Sequence, residues 1–101
     1  IAARRQVSIS RQLVNADPPA QCAPAVVDAI ASACARHGLT YEPMVSRAYH
    51  DTLFLCGIVP AAMLFIPCRA GISHRPDEYA SPESIARGTL VLAEALASLA
   101  Q

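Results

Sequence analysis

The sequence predicts an α/β domain, and three observations carry that prediction. Residues 24–37 place apolar side chains at helical spacing between a proline and a glycine. Residues 61–66, Ala-Ala-Met-Leu-Phe-Ile, are apolar at every position. That pattern suits a strand covered on both faces, in a mixed or largely parallel sheet flanked by helices. A second helical stretch opens at Pro82, directly after a polar loop, and runs almost to the last residue.

Val7 and Ile9 alternate with Ser8 and Ser10. A period of two predicts a strand over 7–14 with one solvated face. Asn15-Ala16-Asp17-Pro18-Pro19 ends it, because two consecutive prolines continue neither a helix nor a ladder. This is the best boundary between two lobes. Pro24 stands where a first helical residue would, and Gly38 supplies a left-handed stop. Between them Val26, Val27, Ile30, Ala33 and Cys34 make one apolar face. Arg36 and His37 fall in the last turn, where they complement the helix dipole, so His37 needs no ligand role.

Residues 41–45 read as a short extended segment and residues 51–56 as two turns of helix ending at Gly57. Burying Leu64, Phe65 and Ile66 in the central strand is worth roughly 1.5–3 kcal/mol each. Residues 67–80 are polar and rich in turn formers. Ser81-Pro82-Glu83 then starts a helix with a cap, a first-position proline and an acid in the first turn. Ile85, Thr89, Leu92, Leu96 and Leu99 mark its apolar face.

The chain has 101 residues, enough for one small domain. Its eight Arg and eight acidic residues cancel, and there is no Lys. A neutral surface gives no electrostatic footprint for nucleic acid or anionic lipid, and no apolar run is long enough to span a bilayer. Apolar residues make up 53% and charged residues 16%, the balance of a packed globule. Cys22, Cys34, Cys56 and Cys68 are widely spaced with no C-x-x-C pair, and read as buried, reduced thiols of a cytoplasmic protein. The chain opens Ile1-Ala2-Ala3-Arg4-Arg5 with neither Met nor an apolar leader, which fits a piece of something longer.

Two polar loops follow the extended segments, where ligands gather in such sheets. In the first, Tyr49, His50 and Asp51 are adjacent. They read either as a binding run or as a helix start with Asp51 near the cap. In the second, His74 lies close to Asp77 and Glu78. A neutral imidazole is the commonest protein metal ligand, yet a lone loop histidine is more often simply solvated. The glycines at 38, 57, 71 and 88 never cluster into a phosphate cradle, and there is no G-x-S-x-G elbow for a nucleophilic serine.

The run Ile66-Pro67-Cys68-Arg69-Ala70-Gly71-Ile72-Ser73-His74-Arg75-Pro76-Asp77-Glu78-Tyr79 resembles a signature of the ureidoglycolate, allantoate and N-carbamoyl-amino-acid amidohydrolases. These belong to the aminoacylase and carboxypeptidase G class of dinuclear metallohydrolases. Asn15-Ala16-Asp17-Pro18-Pro19 and Met44-Val45-Ser46-Arg47-Ala48-Tyr49-His50-Asp51 look most like the ureidoglycolate branch, whereas Gly71-Ile72-Ser73-His74 is closer to the bacterial carbamoylases and allantoate hydrolases.

The resemblance implies a metallopeptidase-like catalytic domain interrupted by an α+β lid. Residues 1–17 would be the tail of the lid and dimerisation domain, with its last strand. Residues 18–101 would be the C-terminal part of the metal-binding catalytic domain. His74 would be a metal ligand of a site holding two divalent ions, Mn²⁺ or Zn²⁺. Tyr49 and His50 would meet the substrate, with Asp51 a possible support for His50. Ser73 and Glu78 would support the loop. The implied reaction is hydrolysis of a linear ureide, ureidoglycolate first, to glyoxylate, ammonia and CO₂, in a homodimer built through the lid. Allantoate and N-carbamoyl amino acids are the alternative substrates, and a non-catalytic assembly module is the alternative of another class. No catalytic residue of the implied set lies on this chain, so the 101 residues alone are expected to be inactive. The implied setting is cytoplasmic, although plant relatives point to the endoplasmic reticulum.

Overall fold

The computed structural model describes residues 3–101. Ile1 and Ala2, the first residues of the expected lid tail, lie outside the described residues. After a short 3-10 turn at Ala3–Arg5 the chain forms three helices: α1 (Pro24–Arg36), α2 (Thr52–Leu55) and α3 (Pro82–Leu99). A further 3-10 turn spans Arg69–Gly71.

The two long helices begin and end for local reasons. Pro24 opens α1, where a missing N–H costs nothing. At its far end Gly38 sits at φ 61°. Leu39 N donates to Cys34 O at 2.9 Å and Gly38 N to Ala35 O at 3.1 Å. This paired closure satisfies the last carbonyls of α1 and turns Leu39 back onto the core. Ser81 Oγ accepts from Ser84 N at 3.1 Å and caps α3, a contact worth about 1 kcal/mol. Glu83 follows in the first turn and pairs with Arg87 one turn on, at 2.5 Å.

The core lies where α1 crosses α3. Ala33 and Cys34 of α1 meet Val91 and Ala95 of α3, with Ala29, Ile30, Leu39 and Leu64 packed around them. The buried face of α3 is therefore the small-residue row Gly88, Val91 and Ala95. The expected leucine row is not the packed one: Ile85, Leu92, Leu96 and Leu99 are 45–58% exposed. Ala33 and Ala95 are small enough to let the two helices approach closely, and Val91 fills the space between them. Gly88 answers to a different neighbour, because a Cβ there would overlap Ile66 Cγ2 of the segment that follows α2.

No strand forms among the described residues, so the expected strands at 7–14 and 61–66 and the extended segment at 41–45 acquire no ladder. A strand exists through the neighbour that shares its backbone hydrogen bonds, and none runs beside these segments. Residues 7–14 are exposed throughout, so their alternation sorts no faces. Residues 61–64 and Ile66 are half-buried and Phe65 is exposed, so the segment is not covered on both sides. They still alternate: Leu64 and Ile66 lean on the helix pair, and Phe65 faces the His50 ring.

The molecule measures 60 × 34 × 20 Å with a radius of gyration of 18.6 Å. A compact chain of this length has about 13 Å. Its surface of 8543 Å² also exceeds the roughly 5,500 Å² that a self-contained protein of its mass exposes. Only Ala33, Cys34, Val91 and Ala95 are buried among the described residues. One helix pair is thus folded, and the long arms on either side leave much apolar surface uncovered. Among the described residues no helix is long and apolar enough to cross a membrane.

Candidate functional site

The loop before α2 forms one wall of an open groove of roughly 1290 Å³. Asp17, Tyr49, His50, Phe65 and Gly88 all line it. The groove is large for a small-molecule pocket and mostly apolar, with a few polar groups at one side.

Tyr49 lies at the centre of that polar group. Its hydroxyl donates to Asp17 Oδ2 at 2.5 Å and accepts from Asn15 Nδ2 at 3.2 Å. Asn15 Nδ2 also donates to Asp17 Oδ2 at 2.7 Å, while Asn15 Oδ1 accepts from Ala16 N at 2.8 Å. The bond to Asp17 holds the phenol above its ordinary value, helped by desolvation, with Asn15 acting the other way. The ring packs edge-on against Phe54, centroids 5.9 Å apart. Tyr49 nonetheless remains 63% exposed, so its ring is available to a ligand.

His50 is half-buried. Its Nε2 lies 3.0 Å from Ser46 Oγ, and its ring is tilted against Phe65 at 5.7 Å. These two contacts fix the imidazole plane and engage one ring nitrogen. Asp51, expected as a support for His50, stands instead at the N-cap of α2. Its carbonyl accepts from Phe54 N and Leu55 N, and its side chain makes no hydrogen bond among the described residues. Ser46 takes the position that Asp51 was expected to fill.

His74 is held from its backbone. It sits at φ 57°, and its N–H donates to Glu78 Oε2 at 2.8 Å. Glu78 N in turn donates to Arg75 O at 3.0 Å, and Arg75 pairs with Asp77 at 2.9 Å. At the base of the loop Arg69 N donates to Tyr79 O at 2.8 Å, with the guanidinium 4.3 Å above the Tyr79 ring. Left-handed backbone at a non-glycine residue is unfavourable and persists where neighbours enforce it. Glu78 enforces it here, in keeping with its expected role as a loop support. The imidazole of His74 is exposed and makes no hydrogen bond among the described residues.

The structure does not bring His74 to the groove that Tyr49 and His50 line. Nor does any group of three or more His, Cys, Asp or Glu able to hold a metal gather among the described residues. An exposed imidazole on a braced loop fits one ligand position of a metal site shared with other side chains, and one position only.

Sequence reasoning missed four partners. Asn15 and Asp17 read only as a linker, although a polar pair two residues apart before Pro-Pro was a visible signal for a turn with free side-chain oxygens. Ser46 carried no local signal. Glu94 on α3 takes Arg36 Nε and His37 Nε2 from the end of α1 onto its two carboxylate oxygens.

Residues 6–98 match peptidase family M20/M25/M40. The ureidoglycolate hydrolase of Arabidopsis thaliana is 47% identical over 100 residues, covering 98% of this chain and 21% of that protein. The ureidoglycolate hydrolase of Oryza sativa subsp. japonica is 48% identical over the same shares. A crystal structure of AtUAH in complex with glyoxylate superimposes with a TM-score of 0.84 at 46% identity, over 97% of this chain and 23% of that one. The chain thus spans about a fifth of the length of the curated relatives it matches.

Proposed function

Since the chain belongs to peptidase family M20/M25/M40, we propose that the protein it comes from is a metal-dependent amidohydrolase of linear ureides, with ureidoglycolate as substrate. The observation that carries this reading is near-half identity over 98% of the chain to ureidoglycolate hydrolases. The likeness to a structure that holds glyoxylate supports it, because glyoxylate is a product of ureidoglycolate hydrolysis.

Residues 18–101 belong on this reading to the metal-binding catalytic domain, and residues 1–17 to a lid that also builds a homodimer. The open groove, the exposed leucine row of α3 and the excess surface fit a segment that packs against further parts of a larger subunit. Residues 61–66 would there find the strand neighbours that give them a ladder, within a sheet flanked by α1 and α3. Nucleic acid and membrane are not partners, and the cytoplasm is the proposed compartment.

A urea-type carbonyl is a poor electrophile because two nitrogens donate into it. Two divalent ions, Mn²⁺ or Zn²⁺, would supply the Lewis acidity needed to polarise it. His74 would hold one of them through a ring nitrogen, on a loop that Glu78 keeps in place. Tyr49 and His50 would bind and orient the ureide: the phenol ring offers a face, and the imidazole, fixed by Ser46 and Phe65, offers its free nitrogen. A single histidine cannot complete a dinuclear site, so the 101 residues alone are expected to release no ammonia.

The test is glyoxylate formation from ureidoglycolate by the full-length protein, before and after removal of metal by a chelator. Formation that stops on chelation and returns with Mn²⁺ supports the proposal. Formation indifferent to chelation overturns its metal-dependent chemistry.

A further inference from the structure

The strap that leads into α1 and the segment that follows α2 meet at one carbonyl oxygen. Ala61 O accepts from Ala23 N at 2.9 Å and from the Cys56 thiol at 3.8 Å. Cys22, the residue before Ala23, is thereby brought beside Cys56, because its neighbour's N–H and the Cys56 thiol share that one acceptor. Both are free; Cys22 is exposed and Cys56 half-buried. The exposure of Cys22 corrects the expectation that all four thiols are buried. The other two cysteines are placed differently. Cys34 is walled into the helix–helix core, and Cys68 stands at the start of the 3-10 turn of the His74 loop.

We propose that Cys22 and Cys56 are a redox-responsive dithiol, which a disulfide oxidant such as glutathione disulfide converts reversibly into an intramolecular disulfide. The exposed Cys22 thiolate attacks one sulfur of glutathione disulfide, and one glutathione thiolate leaves. The Cys56 thiolate then attacks the Cys22 sulfur of this mixed disulfide, and the second glutathione leaves. Each cysteine gives up its proton and one electron, and one glutathione disulfide becomes two glutathione thiols. Burial, with the adjacent Cys22 sulfur, holds the Cys56 thiol above its ordinary value, so the second step quickens as pH rises.

The closed loop carries all of α1, the groove wall at 38–50 and α2. The bond therefore ties the strap just after Asp17 to the helix just after Tyr49 and His50. It adds a covalent link to a junction that the reduced protein holds with hydrogen bonds, and it does so whatever the substrate.

The experiment treats the full-length protein with glutathione disulfide, blocks remaining thiols by alkylation, and maps digested peptides by mass spectrometry. The expected result is a peptide pair joined through Cys22 and Cys56, released by dithiothreitol. The pair is lost in Cys22→Ser and in Cys56→Ser and kept in Cys34→Ser. Separate alkylation of Cys22 and Cys56 after oxidation overturns the proposal, as does either one cross-linked instead to Cys34 or Cys68. Should a variant fail to fold, the peptide map of the wild-type protein still separates these outcomes.

Discussion

Tyr49 donates its hydroxyl hydrogen to Asp17 Oδ2 across 32 residues of chain. The bond joins the segment before α2 to the boundary between the two proposed lobes. Asn15 closes the same triangle, so the segment at 15–17 and the loop before α2 share one small network.

That network sets the acidity of Tyr49. Because the Asp17 hydrogen bond is the main cause of its raised value, Asp17→Ala should lower the titration midpoint of the phenol toward 10.0. The bond is intact at neutral pH and is lost as pH rises through the raised phenol value. Tyrosine ring-carbon NMR on the full-length protein, with Tyr49→Phe to assign the signal, reads this directly. An unmoved midpoint would show that the bond does not govern Tyr49. Kinetically, Tyr49→Phe should raise KM while leaving metal content unchanged.

Glu94 gives a second pH signature. Arg36 first, and then His37, hold its carboxyl below the ordinary value of 4.5. A depressed folded-state value means that the stabilisation is present above 4.5 and is lost as pH falls through the folded value. Glu94→Gln should therefore melt earlier than the parent at neutral pH, with the gap closing in acid. Melting curves across that range test it, and a gap independent of pH would contradict the clasp.

Gly88→Ala should destabilise despite alanine's better helix propensity. Propensity alone favours the change by about 1 kcal/mol, whereas overpacking costs about 1–3 kcal/mol. Ile66 is branched at Cβ and has little freedom to turn away. Adding Ile66→Ala should make the second substitution gain what the first lost. Denaturant unfolding of both variants and the double mutant supplies the comparison; simple additivity would mean that Gly88 and Ile66 do not meet.

His74→Ala should lower the metal content of the full-length protein by one ion per subunit, read by elemental analysis after dialysis. Glu78→Ala should weaken metal retention less severely, since it frees only the backbone of His74. Full occupancy in His74→Ala would remove His74 from the ligand set.

What the sequence disclosed was what is decided locally. Pro24, Gly38, Ser81 and Pro82 mark the ends of α1 and α3 because capping is settled within a few residues. Asp51 could be read as a helix start for the same reason. The expected strands stand unpaired among the described residues because a ladder depends on a neighbour, which no pattern within 7–14 or 61–66 supplies. The choice of face on α3 escaped as well. Hydrophobicity favours the leucine row, but packing against Ala33 and Cys34 selects Val91 and Ala95, and close approach of Ile66 selects Gly88. At the site, Tyr49, His50 and His74 stood out through a resemblance. Glu78 stood out with them as a loop support, but distant pairings could not: Asp17 is 32 residues from Tyr49, and Glu94 is 57 from His37.

The most direct measurement is the initial rate of ammonia release by the full-length protein, loaded with Mn²⁺, on ureidoglycolate, allantoate and N-carbamoyl amino acids in parallel. The account predicts the highest kcat/KM on ureidoglycolate, abolished by chelation and restored by Mn²⁺. Metal-dependent release that prefers allantoate or a carbamoyl amino acid would contradict the substrate assignment, and no metal-dependent release from any of them would contradict the proposed chemistry.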